Sequence, residues 1–469
     1  MLFNSFVFIF LFLPITFLAY FGLNRLKLYT SAKVALVIAS LYFYAYFNYS
    51  YLPIILSSIL VNYASAYSMS RIDGLFRRFS LLIGICFNVG LIAYFKYFDF
   101  FIENVNAIFR TNIPLLNILL PLGISFFTFQ QIAFVVDSYR RKTDLPRFLD
   151  YCNFVTFFPQ LIAGPIVLPE EMLPQFEDRT KRRVNYENLF NGLFMFSLGL
   201  AKKVLIADSI AVFANTGFDV LTSYTMAEAW LTSLAYSFQL YFDFSGYCDM
   251  AIGIGLMFNI KLPLNFNAPY SACDFQDFWR RWHMTLNRFL TQYLYIPLGG
   301  SRRGEIRTLL NVFVVFLVSG IWHGAGWTFI VWGILHGIAS IINRIWKHKA
   351  FRLPNWFTIP LTFFFVNIFW VFFRADSLVD AWQIVSSMFN NLDLTLTEDF
   401  TSNLPSILPN RYNMLILFSA FILGVFGKTA YQWMETDRYY YIKMLATIAT
   451  FILGCLFVSR IVTFLYFNF

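Results

Sequence analysis

Residues 275–304 read FQDFWRRWHMTLNRFLTQYLYIPLGGSRRG, and residues 319–337 read SGIWHGAGWTFIVWGILHG. Together they hold three of the four histidines of the chain and five of its 35 Lys and Arg residues. The first stretch has apolar residues at three- and four-residue steps with charged residues between them, which predicts an amphipathic helix lying in a membrane interface. The second continues a long apolar run, where an ionisable residue is costly and is by default a functional candidate.

Composition places the whole chain in a membrane. Of its 469 residues 58% are hydrophobic and only 13% are charged, whereas soluble proteins are about half apolar and a quarter charged. Apolar segments near the ~20 residues that cross a bilayer predict an all-α polytopic membrane protein with about 11–12 transmembrane helices. These segments lie at about 2–22, 34–48, 52–69, 79–97, 114–136, 187–207, 228–247, 308–323, 326–343, 356–373, 412–428 and 442–466.

The distribution of charge predicts the orientation. The formal net charge is +9, but Lys and Arg lie in short clusters between apolar segments, as in cytoplasmic loops, so a nucleic-acid partner is not expected. The charge is interpreted as topology, with anionic membrane lipid or an anionic cofactor as a secondary contact. Residues 208–230 and 376–410 carry acids without Lys or Arg and are predicted to face outward, whereas residues 260–307 are predicted to be cytoplasmic. Lys202 and Lys203, near the outer end of a span, are predicted to snorkel toward water.

One apolar stretch is too short and too interrupted to be a simple span. Residues 153–168, NFVTFFPQLIAGPIVL, contain Pro159, Gly164 and Pro165, which predicts a re-entrant segment. Irregular backbone at membrane depth is tolerated only where protein or a water-filled cavity satisfies it.

The histidines are the main candidates for chemistry. His323 lies in an apolar run beside Trp322 and Gly324, where a neutral imidazole could take a proton from a hydroxyl; a core histidine bonded to a carbonyl is the alternative. His283 lies on the flank of the amphipathic pattern, where an incidental interfacial histidine is the alternative. Helix packing is favoured for His336 and solvation for His348. No histidine spacing indicates a zinc site, so no metal is expected.

Several motifs in order resemble the membrane-bound O-acyltransferase family, in its bacterial branch of alginate O-acetylase and peptidoglycan O-acetyltransferase. The resemblance covers nearly the whole chain, so a single domain spanning residues 1–469 is expected, with a catalytic core at about 120–345. It rests on FNSFVFIFLFLP (3–14), CNFVTFFPQLIAGPI (152–166), FDFSGYCDMAIGIG (242–255), FWRRWHMTLNRFLTQYLYIPLGG (278–300), SGIWHGAGWTFIVWG (319–333), LHG (335–337) and FFRADS (372–377).

The resemblance implies a central tunnel, a catalytic histidine at His323 and a second functional histidine at His283. It implies that acetyl leaves acetyl-CoA, a substrate and not a resident cofactor, on the cytoplasmic side of a bacterial inner membrane. The acceptor would be a periplasmic SGNH-type acetyltransferase or another acyl-accepting protein that modifies alginate, peptidoglycan or a related exopolysaccharide.

The basic residues of the first stretch suggest where the donor would bind. Arg280, Arg281, Arg302 and Arg303 are expected to contact the polyanionic CoA, because guanidinium groups match phosphate. His323 is expected roughly 24 Å inward along its span. His283, on an interfacial helix, is expected to stay near the entrance and position the donor.

Two other classes of protein remain open from the residues alone. About twelve spans with broken helices would suit a secondary transporter, although no internal repeat is visible. A non-catalytic scaffold for an envelope assembly is the third possibility, and it predicts that replacing His323 has no effect on glycan acetylation.

Overall fold

The computed structural model describes residues 1–347, 353–390, 392–404, 410–436, 439–458 and 465. Their secondary structure is helical throughout, with no strand among them, as the all-α prediction requires. His348 lies outside the described residues. The chain divides into two compact units, one containing Met1–Ser197, Tyr247–Pro263 and Ile442–Thr447, and the other containing the rest.

Eight of the described helical segments are long and apolar enough to cross a membrane by length and composition. Helices 29–45 and 414–426 are apolar but shorter. The chain is therefore a multi-pass membrane protein. The eight segments are Phe8–Arg25, Tyr49–Arg71, Leu75–Phe109, Tyr186–Val220, Glu305–His323, Trp327–Lys347, Asn355–Arg374 and Tyr440–Phe457.

The first unit is built mainly from the N-terminal helices. Pro53 occupies the first turn of Leu52–Arg71, where the missing backbone N–H costs nothing. Pro14 lies within the continuous segment Phe8–Arg25, just after the π-helical turn Phe8–Phe12. The remaining helices of this part of the chain are Tyr29–Ala45, Leu75–Ile92, Phe98–Phe109, Ile124–Tyr139, Phe148–Thr156, Phe158–Leu161, Pro169–Glu177 and Tyr186–Ala201.

The predicted re-entrant stretch is broken and buried within the first unit. Helix Phe148–Thr156 ends at Phe157, a single turn Phe158–Leu161 follows, and the chain then extends to Leu168. Residues 151–169 are buried, and the Gln160 amide donates to the Phe154 carbonyl at 2.8 Å. Irregular backbone is thus surrounded by protein, the condition under which it is tolerated at membrane depth.

The second unit contains residues 275–304 and 319–337. Helix Met226–Met257 contributes its part up to Gly246. The other helices are Asp208–Asn215, Phe275–Arg281, Met284–Leu290, Glu305–His323, Trp327–Lys347, Asn355–Arg374, Leu378–Ser387, Glu398–Ser402, Asn410–Phe426, Ala430–Met434 and Tyr440–Phe457, the last partly in the first unit.

The amphipathic pattern of residues 275–293 does not form one continuous helix. Asp274 caps the first piece by accepting from the N–H groups of Gln276 and Asp277, and that piece ends at Arg281. Trp282 is extended and His283 is left-handed, with φ 43° and ψ 51°. A neighbouring segment holds the break, because Asn267 N–H donates to the Arg281 carbonyl and Met284 N–H to the Asn265 carbonyl, both at 2.9 Å. Backbone groups that a helix would satisfy internally are satisfied from outside.

Lys203 does not snorkel, so this prediction is wrong. Its side chain is 3% exposed, and its Nζ lies 2.8 Å from an Asp208 carboxylate oxygen and 2.5 Å from an Asp243 carboxylate oxygen. Helix Met226–Met257 supplies Asp243, which also accepts from the Leu465 N–H at 3.0 Å. A carboxylate partner within the protein replaces the water that a snorkelling lysine would seek.

The two acidic stretches predicted to face outward contact each other in the second unit. Ala227 N–H donates to the Asp393 carbonyl at 3.2 Å, and the Glu228 carboxylate accepts from both the N–H and the hydroxyl of Thr397. Arg374 pairs with Asp219 at 2.5 Å. Asp208 does not belong to this contact, because it pairs with Lys203. The mutual contact requires both stretches to lie on one side of the membrane, as predicted.

Candidate active site

His283 is completely buried at the break between helices Phe275–Arg281 and Met284–Leu290. A left-handed backbone is unusual for a residue with a β-carbon, and such residues are concentrated at functional sites. The break turns the imidazole inward, where its ring stands edge-on to Phe244 with centroids 5.0 Å apart.

Asn265 defines the tautomer of His283. The side-chain oxygen of Asn265 faces the Thr285 N–H at 3.3 Å and the Thr285 hydroxyl at 2.9 Å. A backbone N–H can only donate, so the atom facing it must be the amide oxygen. The same oxygen lies 3.1 Å from His283 Nδ1, which must therefore donate. The lone pair of the neutral imidazole is then on Nε2, and burial lowers the pKa of His283 to about 3.

His323 is the last residue of helix Glu305–His323 and is 2% exposed. Gly324 follows in an extended conformation, and a β-carbon there would lie 2.1 Å from the Phe329 ring. The glycine therefore ends the helix and lets Phe329 pack against the turn.

Aromatic rings surround the His323 imidazole. Trp332 and Phe373 meet it edge-on, with centroids 5.0 Å and 5.1 Å away. Helix Trp327–Lys347 brings Trp332 into position through a close approach at Gly320 and Gly333, where a β-carbon on Gly333 would lie 2.6 Å from the Phe316 carbonyl oxygen. The imidazole is thus held in a largely apolar, aromatic environment.

The two imidazoles share one site. The ring centroids of His283 and His323 are 6.4 Å apart, and Trp322 contacts both rings. The expectation that His283 stays at an entrance far from His323 is therefore wrong. It assumed one continuous interfacial helix, whereas the left-handed break at His283 lets the chain turn its side chain inward.

The second unit contains a cavity of about 300 Å³ that neither histidine lines, although its lining includes Leu286, three residues after His283. It is walled by apolar side chains, among them Leu286, Leu290 and Phe316. Its lining runs from exposed Arg280 to buried Ser319, which is one helical turn before His323. The hydroxyls of Ser319 and Ser340 are buried in this lining and have no hydrogen-bond partner among the described residues. An apolar slot with a few unsatisfied polar groups is typical of a ligand site.

The four arginines expected to contact the donor do not all line this cavity. Arg280 lines it. Arg281 pairs with Asp277 at 2.8 Å. Arg302 and Arg303 are exposed on the turn after Gly300 and are not part of the lining. The structure thus places one of the four at the cavity.

Sequence reasoning missed three contributors. Asn265 orients His283, but a lone asparagine in LPLNFNAP carries no recognisable spacing. Arg344 lines the cavity, yet it belongs to a basic cluster that reads as a loop. Trp279 donates its indole N–H to His336 Nδ1 at 3.2 Å, which ties the two stretches together and gives His336 the packing role expected of it.

Comparison with known proteins identifies relatives over the full length of the chain. The model of the membrane-bound O-acyltransferase family matches residues 117–378. Peptidoglycan O-acetyltransferase of Helicobacter pylori is 45% identical over 100% of this chain and 98% of its own length. A probable alginate O-acetylase of Pseudomonas aeruginosa is 38% identical over 91% of this chain and 81% of its own. Teichoic acid D-alanyltransferase of Bacillus subtilis is 27% identical over 53% of this chain and 67% of its own.

Proposed function

Because the chain belongs to the membrane-bound O-acyltransferase family and is an acyltransferase, we propose that it moves acetyl from cytoplasmic acetyl-CoA across a bacterial inner membrane. The receiver is a periplasmic protein of the SGNH acetyltransferase type or another acyl-accepting protein. The end product is an O-acetylated polysaccharide of the cell envelope. The single domain of residues 1–469, with its catalytic core at about 120–345, is part of the same proposal.

The observation that carries this proposal is the pairing of His283 and His323 in one buried site, with centroids 6.4 Å apart. In the proposed step, His323 takes the proton of an acceptor hydroxyl as the oxygen attacks the thioester carbonyl carbon. The carbon–sulfur bond then breaks, and the thiolate takes the proton from the imidazolium. General-base catalysis of this kind contributes about 10²–10⁴ in rate.

His283 is proposed to act in the same chemical step. Its Nδ1 donates to Asn265, which leaves the lone pair of the neutral ring on Nε2. This nitrogen can then accept a hydrogen bond from the acceptor hydroxyl or from the His323 imidazole. A transient acyl group on His323 is a less favoured version of the same chemistry, and it uses the same two imidazoles.

The donor is proposed to enter through the 300 Å³ cavity. Arg280 and Arg344 would contact its phosphates, and the apolar wall would accept the chain that carries the thioester. The Ser319 hydroxyl would orient the thioester near His323. In this proposal Arg281, Arg302 and Arg303 provide a positive field for the polyanion rather than direct contacts.

Peptidoglycan is the proposed final acceptor, since the peptidoglycan O-acetyltransferase of Helicobacter pylori shares 45% identity over the whole chain. Alginate or a related exopolysaccharide is the alternative, on the likeness to the Pseudomonas aeruginosa protein.

Proteoliposomes with acetyl-labelled acetyl-CoA on the cytoplasmic side test the transfer. We expect release of CoA and delivery of label to an acceptor on the other side, and loss of both in His323→Ala. Unchanged thioester in the presence of acceptor would contradict the proposal.

Mass spectrometry of muropeptides from a deletion strain identifies the glycan, and normally acetylated peptidoglycan in that strain would exclude it as the acceptor.

A further inference from the structure

The first unit contains a larger cavity, of about 1160 Å³. Four pieces of chain line it: the end of helix Leu13–Arg25, the start of helix Tyr29–Ala45, the start of helix Phe148–Thr156, and the 3₁₀ turn Arg179–Arg182 with the residues after it. Its volume exceeds that of most sites for small ligands. The cavity is therefore large enough for a sizeable ligand.

The lining of this cavity is strongly basic. Its only carboxylate is Asp150, which pairs with Lys33. None of the other six cations makes an ion pair with a carboxylate in the described part of the chain. They are Arg25, Lys27, Arg147, Arg179, Arg182 and Arg183. Six like charges around one concave space repel one another and attract a multivalent anion.

The basic residues come from separate parts of the chain. Arg25 ends one helix, Arg147 precedes another, and Arg179 and Arg182 come from the 3₁₀ turn. Tyr29 and Thr30, in the first turn of their helix, also line the cavity, and no side chain caps that helix. Helix N-termini carry partial positive charge, which adds to the field of the arginines.

One wall of the cavity is apolar. Phe17, Leu18 and Phe21 belong to the membrane-spanning segment Phe8–Arg25, and their side chains line the space next to the basic residues. A basic rim beside an apolar wall at the end of a span fits an amphiphile with a phosphate headgroup. Basic pockets between transmembrane helices bind such headgroups in membrane proteins.

We propose that this cavity binds a phosphate-bearing anion, with the headgroup of an anionic phospholipid as its first source. The second source is the phosphate groups of a soluble nucleotide-type molecule. Arginine is suited to both, because its guanidinium forms two parallel hydrogen bonds to a phosphate. Binding of a phosphate-bearing anion here can be measured without the acyl-transfer reaction.

Native mass spectrometry of the purified full chain tests the lipid source. We expect phosphatidylglycerol to bind more tightly than phosphatidylcholine. The double variant Arg25→Gln and Arg179→Gln should weaken phosphatidylglycerol binding by about tenfold or more, because two charge-assisted contacts are lost.

The matched control is Arg71→Gln with Arg78→Gln. It removes the same charge from the same unit, at exposed positions that do not line the cavity. We expect it to change phosphatidylglycerol binding by less than about twofold, because only the general field is reduced. Equal weakening in both double variants would overturn the proposal, since the basic residues would then act only through net charge.

A displacement measurement on the wild-type protein does not depend on how the variants fold. Adenosine 3′,5′-bisphosphate, which has two phosphates and no acyl chain, is titrated against bound phosphatidylglycerol. Displacement of the lipid identifies a site open to soluble phosphates, and phosphatidylglycerol binding without displacement identifies a lipid site. If the wild-type protein binds neither probe more tightly than phosphatidylcholine, the proposal is wrong.

Discussion

His283 adopts a backbone conformation that costs a residue with a β-carbon about 1–2 kcal/mol. The neighbouring segment offsets this cost, because Asn267 N–H donates to the end of the first helix and Asn265 oxygens accept from the start of the second. The conformation places the His283 imidazole in the protein interior, where its hydrogen bond to Asn265 defines the tautomer. Position and protonation of this histidine are thus set by a residue 18 positions earlier in the chain.

Asn265 is predicted to position His283. Asn265→Leu removes the acceptor of the Nδ1 proton, so we expect kcat to fall at least about tenfold. Asn265→Asp keeps an acceptor and should retain more activity. Its carboxylate favours the imidazolium and raises the pKa of His283 from about 3, so the loss of activity on acidification should begin at higher pH.

The pH profile separates this role from mere packing. Rates of wild type and Asn265→Asp are compared from pH 3 to 8 in detergent, with folding checked by size exclusion at each pH. Identical acid limbs in the two proteins would show that Asn265 does not act through the imidazole.

For single residues, the sequence singled out the functional candidates but did not predict which side chains contact them in the fold. The high cost of an ionisable group in an apolar run singled out His323. The aromatic surroundings of His323 and the link to Asn265 depend on long-range contacts, which helix periodicity does not report. The separation of His283 from His323 was wrong for the same reason.

The π-helical turn Lys202–Ala207 and the helix Met226–Met257 are joined by a buried ionic cluster. Lys203 lies between Asp208 and Asp243, and both carboxylates are almost completely buried. Removing one member of a buried cluster leaves an uncompensated charge.

Lys203→Met is therefore predicted to destabilise the protein by about 3–5 kcal/mol. The triple variant Lys203→Met, Asp208→Asn and Asp243→Asn removes all three charges and should recover much of the loss. Thermal stability is followed by size-exclusion fluorescence in detergent. A single variant as stable as wild type would show that the cluster does not stabilise the fold.

The acidic stretch 376–410 is more ordered than a plain connector in its described part. Helix Leu378–Ser387 packs Ala381 and Ile384 against Ala229 and Val371. We predict that the stretch contributes to docking the periplasmic acceptor. Deleting residues 395–406 should lower glycan acetylation in cells while the protein still folds. Acetylation at wild-type level in a folded deletion variant would contradict this role.

Element prediction succeeded where the pattern was long and apolar, as in helices Glu305–His323 and Trp327–Lys347. It failed at residues 275–293, because three- and four-residue periodicity continues through Trp282 and His283. The break depends on backbone hydrogen bonds with Asn265, which accepts, and Asn267, which donates, and local sequence does not encode these contacts.

For the whole molecule, composition was sufficient to predict an all-α polytopic membrane protein. Orientation stays a prediction based on the one-sided distribution of Lys and Arg. The contact between the two acidic stretches adds a constraint to this prediction, because both stretches must face the same side of the membrane.

Cysteine labelling tests the orientation. Ser402→Cys and Ser301→Cys place single thiols at two exposed positions, after the native cysteines, including exposed Cys86, are replaced by serine. An impermeant reagent applied to intact cells should modify Cys at position 402 and not at position 301. The opposite pattern would reverse the topology.

The central claim is that His283 and His323 serve one chemical step, and donor-saturation kinetics test it most directly. Rates of acetyl transfer and binding of acetyl-CoA are measured for His283→Ala and His323→Ala in the purified protein. We predict that both variants bind the donor normally and that kcat falls about 10²–10⁴-fold in each, even at saturating acetyl-CoA. Recovery of near wild-type kcat by His283→Ala at high acetyl-CoA would contradict the shared site and return His283 to a donor-positioning role.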